Sequence, residues 1–291
     1  MTPNNSVLLD LPTLRAAYSD RTSWLMARCS QLAYVHWEDG QGSGLADSLN
    51  QLGLQFIRGF SVEKTRAFLA SSPRFAVLAF RGTEENMDNI LTDIDIRFRK
   101  DKEGVKIADG FSRAYALVEK EIADAIAKLD PDLPLYITGH SLGGALAVIA
   151  SIRITPSDRI SACYTYGCPH VGNSEFTKEL WKIPVYRQVH SSDIVPRVPF
   201  GFGYRQAGDL RYIKRSQDLV ENPNSLGLVC SFFYSFITNH KSIFLNHRIA
   251  GYVDALERWA IKRNEPPATA PAPPQETSPP KMLSASGGSA H

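Results

Sequence analysis

Leu135-Tyr136-Ile137-Thr138-Gly139-His140-Ser141-Leu142-Gly143-Gly144-Ala145-Leu146-Ala147 is the stretch that decides the fold. Its first four residues are short, apolar and partly β-branched, which reads as a buried strand. Ala145 to Arg153 reads as a helix. Between them lies Gly-x-Ser-x-Gly, centred on Ser141. At a strand-to-helix turn this pattern lifts a serine hydroxyl out of a sheet and makes it a candidate nucleophile. Gly139 and Gly143 have a steric task there, because the positions two before and two after the serine approach too closely for a Cβ. The bare pattern arises by chance about once in ten chains of this length. Its placement between a strand and a helix carries the weight, against the plainer reading of a glycine-rich turn packing a helix on a sheet.

Working outward, Leu52 to Phe60 and Phe75 to Phe80 read as strands. A short helix is expected between them from Val62 to Ala70, with Ser61 as its N-cap. Thr13 to Trp37 is amphipathic and mostly helical. Phe111, Ala114, Tyr115, Val118, Ile122, Ile126 and Leu129 have helical spacing, closed by Asp130-Pro131. Ile160 to Tyr166 is a strand, Ser174 to Trp181 a helix and Val185 to Val189 a strand. His247 to Ile261 is a final helix. The mixed charges of Arg97 to Lys106 read as a solvated loop. Strands alternating with helices predict an α/β fold with a mostly parallel central sheet flanked by helices. Sites in such sheets form at the carboxyl ends of strands, where Ser141 stands.

The chain has 291 residues, 43% of them hydrophobic, ample for one α/β core over residues 1–263. Residues 264–291 form a Pro/Ala/Ser-rich tail with no aromatic residue, expected to be disordered. A formal net charge of only +2 gives no electrostatic case for a nucleic-acid partner. No apolar run is long enough to predict a transmembrane helix. The N-terminus lacks the basic and apolar regions of a Sec-type signal, so a cytoplasmic location, or export by another route, is expected. Cys29, Cys163, Cys168 and Cys230 have neither metal nor redox spacing, which predicts free thiols.

A serine nucleophile needs a base, and the base an orienting carboxylate. In the α/β-hydrolase order the acid and then the histidine follow the serine. The acids after Ser141 include Asp158, Glu175, Glu179, Asp193, Asp209, Asp218 and Glu221. Asp193 stands out, because it follows the strand Val185–Val189 on a strand-end loop. His170 and His190 precede it, which leaves His240 and His247. His247 opens the final helix, a rigid element able to fix an imidazole, and is preferred. Donors for a developing oxyanion are expected from the N–H of Leu142 and from Thr83, in the Phe80-Arg81-Gly82-Thr83 strand-end turn. No metal or cofactor is called for.

These blocks together resemble the class 3 lipase family, the filamentous-fungal-type triacylglycerol lipases and their bacterial relatives. The resemblance rests on FRGT at 80–83, Gly110-Phe111 with Ala114-Tyr115, ITGHSLGGALA at 137–147, TYGCPHVGN at 165–173, SDIVPRVP at 192–199 and HRIAGY at 247–252. They span roughly residues 20 to 260. It implies Ser141 as nucleophile, Asp193 as acid, His247 as base, and Thr83 with Leu142 as oxyanion hole. The chain departs from the family pattern at Asn246, where Asp is frequent, at Ala108, where His is frequent, and at His170, which replaces the usual Arg.

The resemblance also places a short helical lid at Glu84 to Ile96. Met87, Ile90, Leu91 and Ile94 share one helical face there, which makes Met87, Ile90 and Leu91 candidate substrate contacts. Leu226 to Ile237 is a second apolar stretch, read as an acyl-side wall. The implied activity is hydrolysis of fatty-acyl esters, with acylglycerols first. The expected partner is an acyl-ester lipid at a lipid–water interface. A phospholipase or short-chain esterase with the same triad, and a catalytically silent lipid-binding module on the same fold, are the alternatives.

Overall fold

The computed structural model describes residues 17–36, 43–83, 97–100, 104–199, 203–223 and 245–264. The helices are α1 (Asp20–Leu32), α2 (Ser43–Gln51), α3 (Asp109–Ile126), α4 (Leu142–Arg153), α5 (Ser174–Glu179) and α6 (Ile249–Asn264). The strands are β1 (Gln55–Val62), β2 (Thr65–Ser71), β3 (Ala76–Phe80), β4 (Phe98–Lys100), β5 (Lys106–Ala108), β6 (Leu135–His140), β7 (Ile160–Tyr166), β8 (Val185–His190), β9 (Asp209–Ile213) and β10 (Leu219–Glu221). Eight strands form one sheet in the order β1-β2-β3-β6-β7-β8-β9-β10. From β3 to β9 every neighbouring pair is parallel, while β1-β2-β3 and β9-β10 pair antiparallel at the two edges.

The central strands are apolar because both of their faces are covered. All six residues of β6 are buried. Alternation then sends successive side chains to different layers. Leu78, Phe80, Leu135, Ile137 and Cys163 pack with Phe111, Tyr115, Val118 and Ile122 of α3 and with Leu146 and Ile149 of α4. Val77, Ala79, Tyr136, Tyr164 and Tyr166 pack with Trp24, Leu25 and Met26 of α1 and with Tyr252, Val253 and Leu256 of α6. Ser19 caps α1, its side chain accepting from the Thr22 N–H at 3.4 Å, and Asp20 places a negative charge in the first turn.

Two expectations are corrected. The helix expected from Val62 to Ala70 is instead the end of β1 and nearly all of β2, joined by a tight turn at Glu63-Lys64 with Val62 opposite Thr65. Glu63 takes a φ of 52°, and Ser61 lies within β1 rather than capping a helix. Ala67 and Leu69 enter one core layer while Phe68 and Ala70 enter the other. A strand buried on both faces presents a continuous apolar run, which periodicity alone does not separate from a buried helix. The solvated loop expected at Arg97 to Lys106 contains β4 and the start of β5, which pair with Phe98 opposite Ala108. Phe98 stacks on Tyr204 with ring centroids 4.1 Å apart, which draws this segment onto the protein.

Cys29, Cys163 and Cys168 are buried free thiols. Among the described residues no helix is long and apolar enough to cross a membrane. The segment Glu84–Ile96 with Met87, Ile90 and Leu91, the stretch Leu226–Ile237 with Cys230, His240 and the tail from 265 lie outside the described residues.

Candidate active site

β6 delivers Ser141 to the carboxyl edge of the sheet, and α4 starts at the next residue. Ser141 adopts a φ of 57°, in the left-handed region that a side chain rarely occupies. The surroundings hold it there. Its N–H donates to the Tyr166 carbonyl at 2.9 Å, and its own carbonyl accepts from the Gly144 N–H at 2.9 Å. A Cβ on Gly139 would lie 2.2 Å from the Gly143 carbonyl oxygen, and one on Gly143 2.3 Å from the Phe80 carbonyl oxygen. The two glycines let the elbow close on itself and on β3. Leu142 is the first residue of α4, so its N–H belongs to the first helical turn, which has no intrahelical acceptor. Gly82 runs alongside the elbow, for a Cβ there would lie 3.2 Å from the Ser141 Cβ. Thr83 follows directly, half-buried.

Asp193 is fully buried on the loop after β8, and His247, 4% exposed, stands just before α6. Fifty-four residues separate them, yet the His247 Nδ1 lies 2.9 Å from Oδ2 and 3.0 Å from Oδ1 of Asp193. The Val195 N–H donates to Oδ1 at 3.0 Å and the Tyr252 hydroxyl to Oδ2 at 2.6 Å. Burial pushes the Asp193 carboxyl upward. The imidazole of His247 and the donors from His247, Tyr252 and Val195 outweigh that, and they hold it below the ordinary carboxylate range. Tyr252, fully buried and next to this carboxylate, is driven well above the ordinary phenol range, so it stays a neutral donor.

With Nδ1–H donated to Asp193, a neutral His247 presents an unprotonated Nε2. Both that Nε2 and the Ser141 Oγ are buried, and neither has a hydrogen-bond partner among the described residues. The two atoms are of complementary kind, a hydroxyl donor and an imidazole lone pair, as a nucleophile and its base require. No hydrogen bond joins the two atoms; catalytic hydrogen bonds of this kind are often long until substrate tightens a site.

The structure thus brings Ser141, Leu142, Thr83, Asp193 and His247 to one end of the sheet. Two participants escaped the sequence reading. Tyr252 sits one and a half turns beyond His247 on α6, and its hydroxyl also accepts from the His190 N–H at 3.0 Å. Nothing in helical periodicity separates such a tyrosine from a core aromatic. Gly167, with a φ of 59°, is the second: a Cβ there would lie 2.8 Å from Asp193 Oδ2 and from the ring of His247. Its place between a strand end and Cys168-Pro169 was the available signal. The family departures find local partners. Asn246 donates from Nδ2 to Ser192 Oγ at 2.9 Å, tying the base loop to the acid loop, and the His170 Nδ1 lies 3.1 Å from the Pro199 carbonyl.

The sequence model of the family described as Lipase (class 3) matches residues 77–202. That stretch of the chain is similar to class 3 lipases. That segment holds Thr83, Ser141, Leu142 and Asp193, and His247 lies beyond it. A lipase of Rhizopus niveus is 34% identical over 159 residues, covering 50% of this chain and 40% of the relative. Secreted mono- and diacylglycerol lipase 1 of Fusarium solani is 36% identical over 108 residues, covering 35% of this chain and 32% of the relative. The match therefore spans less than half of either curated relative. Among solved structures, lipase II from Rhizopus niveus superposes with a TM-score of 0.62 at 25% identity, covering 79% of this chain and 94% of the other. A mostly parallel sheet with helices on both faces is thus the lipase-type α/β-hydrolase architecture.

Proposed function

We propose that this chain is a serine ester hydrolase that cleaves fatty-acyl esters, acylglycerols foremost, through an acyl-enzyme on Ser141. The observation that carries the reading is the buried Asp193–His247 pair, whose outward Nε2 is unpaired at the same site as the unpaired Ser141 hydroxyl. In this reading Ser141 Oγ attacks the ester carbonyl carbon while His247 Nε2 takes the hydroxyl proton. Asp193 stays ionised, keeps the proton of Nδ1 in place and stabilises the imidazolium. The N–H groups of Leu142 and Thr83 face the tetrahedral oxyanion. Collapse of the intermediate breaks the bond to the alcohol, which leaves with the proton held on Nε2. Water then attacks the acyl-enzyme, gives a proton to His247 and releases the fatty acid, and the proton returns to Ser141.

The lipase names of the Rhizopus and Fusarium relatives favour acylglycerols as the substrate class. Rates on short- and long-chain p-nitrophenyl esters, on mono- and diacylglycerols and on an emulsified triacylglycerol test the reading. Activity on the long-chain esters is expected, with Ser141→Ala lowered about 10⁵- to 10⁶-fold. A phosphonate that labels the Ser141→Ala variant as well as the natural chain would remove Ser141 from the role.

A further inference from the structure

We infer that Tyr34 and His140 form a positioning strut that ties the oxyanion loop and the nucleophile elbow to the backbone of His247. The inference rests on the triad reading above. His140 immediately precedes Ser141 and is buried, and its ring lies 4.5 Å from that of His247, centroid to centroid. Its Nε2 lies 2.6 Å from the main-chain carbonyl oxygen of His247. A carbonyl only accepts, so Nε2 carries the proton. In a neutral ring Nδ1 is then an acceptor, and the Tyr34 hydroxyl donates to it at 2.8 Å.

His140 is kept neutral by its setting. Burial, and then the neighbouring His247, push it down to about 3, so the polarity of the chain Tyr34 O–H to Nδ1, Nε2–H to His247 carbonyl does not invert near neutral pH. A second cation beside the imidazolium formed in catalysis is thereby avoided. The third contact lies at the other end. A Cβ on Gly82 would fall 2.2 Å from the Tyr34 hydroxyl and 2.6 Å from the His140 carbonyl oxygen. The phenol therefore abuts the turn that offers Thr83. One hydroxyl touches the oxyanion turn and, through one imidazole, fixes the peptide of the base.

Tyr34 lies just past α1 and His247 just before α6, both outside the matched segment 77–202. The strut therefore joins elements that local sequence does not hold together. A hydrogen bond to the His247 carbonyl leaves the Asp193–His247 contact untouched, yet it restricts the main chain from which that imidazole projects. Neither Tyr34 nor His140 reaches a reacting atom in this account; both act through His247 and Gly82.

The test uses the full chain and its Tyr34→Phe, His140→Gln and His140→Leu variants. Tyr34→Phe is expected to lower kcat about tenfold with KM unchanged, at a temperature well below its melting point. His140→Gln keeps an N–H donor near the Nε2 position and is expected to retain at least tenfold more activity than His140→Leu. Adding Tyr34→Phe to His140→Leu should cost nothing further, since the two act as a unit. The low-field proton resonance of the His247 Nδ1–H is expected to shift or broaden in Tyr34→Phe and in His140→Leu. Wild-type kcat with an unmoved resonance in Tyr34→Phe would overturn the strut. So would a deficit that vanishes on cooling, which is the mark of a purely structural role. If the natural chain neither hydrolyses esters nor reacts with a phosphonate at Ser141, the catalytic reading fails, while the imidazole resonance still decides whether the strut exists.

Discussion

The two halves of the site are held by different forces. The nucleophile half, β6–Ser141–α4, is made of contiguous chain, and close backbone approach secures it. The acid–base half joins two loops 54 residues apart through side-chain hydrogen bonds on Asp193 and its neighbours. The first half is a steric object and breaks when volume is added. The second is an electrostatic object and weakens when a donor is removed, with the fold left standing. Substitutions in the two halves should therefore separate stability from activity.

The largest effect is expected in the steric half. Gly143→Ala sets a methyl 2.3 Å from the Phe80 carbonyl oxygen and 2.8 Å from the Arg81 carbonyl carbon, both backbone atoms of the neighbouring strand end. No flexible side chain is there to move aside. A loss above about 4 kcal/mol is expected, a large part of the 5–15 kcal/mol that a domain possesses. Chemical denaturation, or failure of soluble expression, measures it. Gly44→Ala on α2 is the control. A Cβ there meets nothing within 4 Å, and the change is expected to be neutral or to stabilise by up to about 1 kcal/mol. An equal loss at both positions would show that close approach is not what Gly143 provides.

This contrast also marks what was legible in the sequence. Ser141 and its glycines were legible because the constraint is local: Gly139 and Gly143, each two residues from the serine, meet each other in space. Asp193 was legible through order along the chain and its place after a strand, and His247 through its place at the head of a helix. Tyr252 and Gly167 were not, because their importance arises only when α6 and the end of β7 meet the Asp193 loop. The Glu63-Lys64 hairpin was misread because β2 is buried on both faces. β9 was missed for a related reason. It carries Arg211, which looks like a solvent residue but is buried with its guanidinium over Tyr18 at 4.6 Å and near Tyr186 at 5.6 Å. A cation sandwiched between rings leaves no trace in hydropathy.

In the electrostatic half the next effect is Asp193→Asn. The amide retains the shape, but its NH₂ can face Nδ1 and favour the wrong imidazole tautomer, with the proton on Nε2. A fall in kcat of about 10⁴-fold is expected. Far-ultraviolet circular dichroism should stay native, and a phosphonate should label Ser141 correspondingly slowly. A variant that loses its fold along with its activity would erase the distinction between the two halves.

The smallest effect is expected one bond farther out, at Tyr252→Phe. The change removes a 2.6 Å donor from a buried carboxylate and leaves the ring and its packing in place. Bonds to charged groups are worth about 1.5–3 kcal/mol, so kcat should fall about tenfold or somewhat more. The stability loss should depend on pH, and the sign follows from the carboxyl. Asp193 is held below its ordinary value in the folded chain, so the stability it supplies is present above an unfolded value of about 3.9 and is lost as pH falls through the folded one. Without the Tyr252 hydroxyl the folded value rises and that contribution shrinks. The melting-temperature gap between the natural chain and Tyr252→Phe should be widest near neutral pH and narrow in acid. It should not close, because the His190 N–H, which donates a hydrogen bond to the same hydroxyl at 3.0 Å, loses that acceptor at every pH. A gap that stays constant from neutral pH into acid would mean that Tyr252 serves the loop backbone through His190 and contributes nothing to the charge on Asp193.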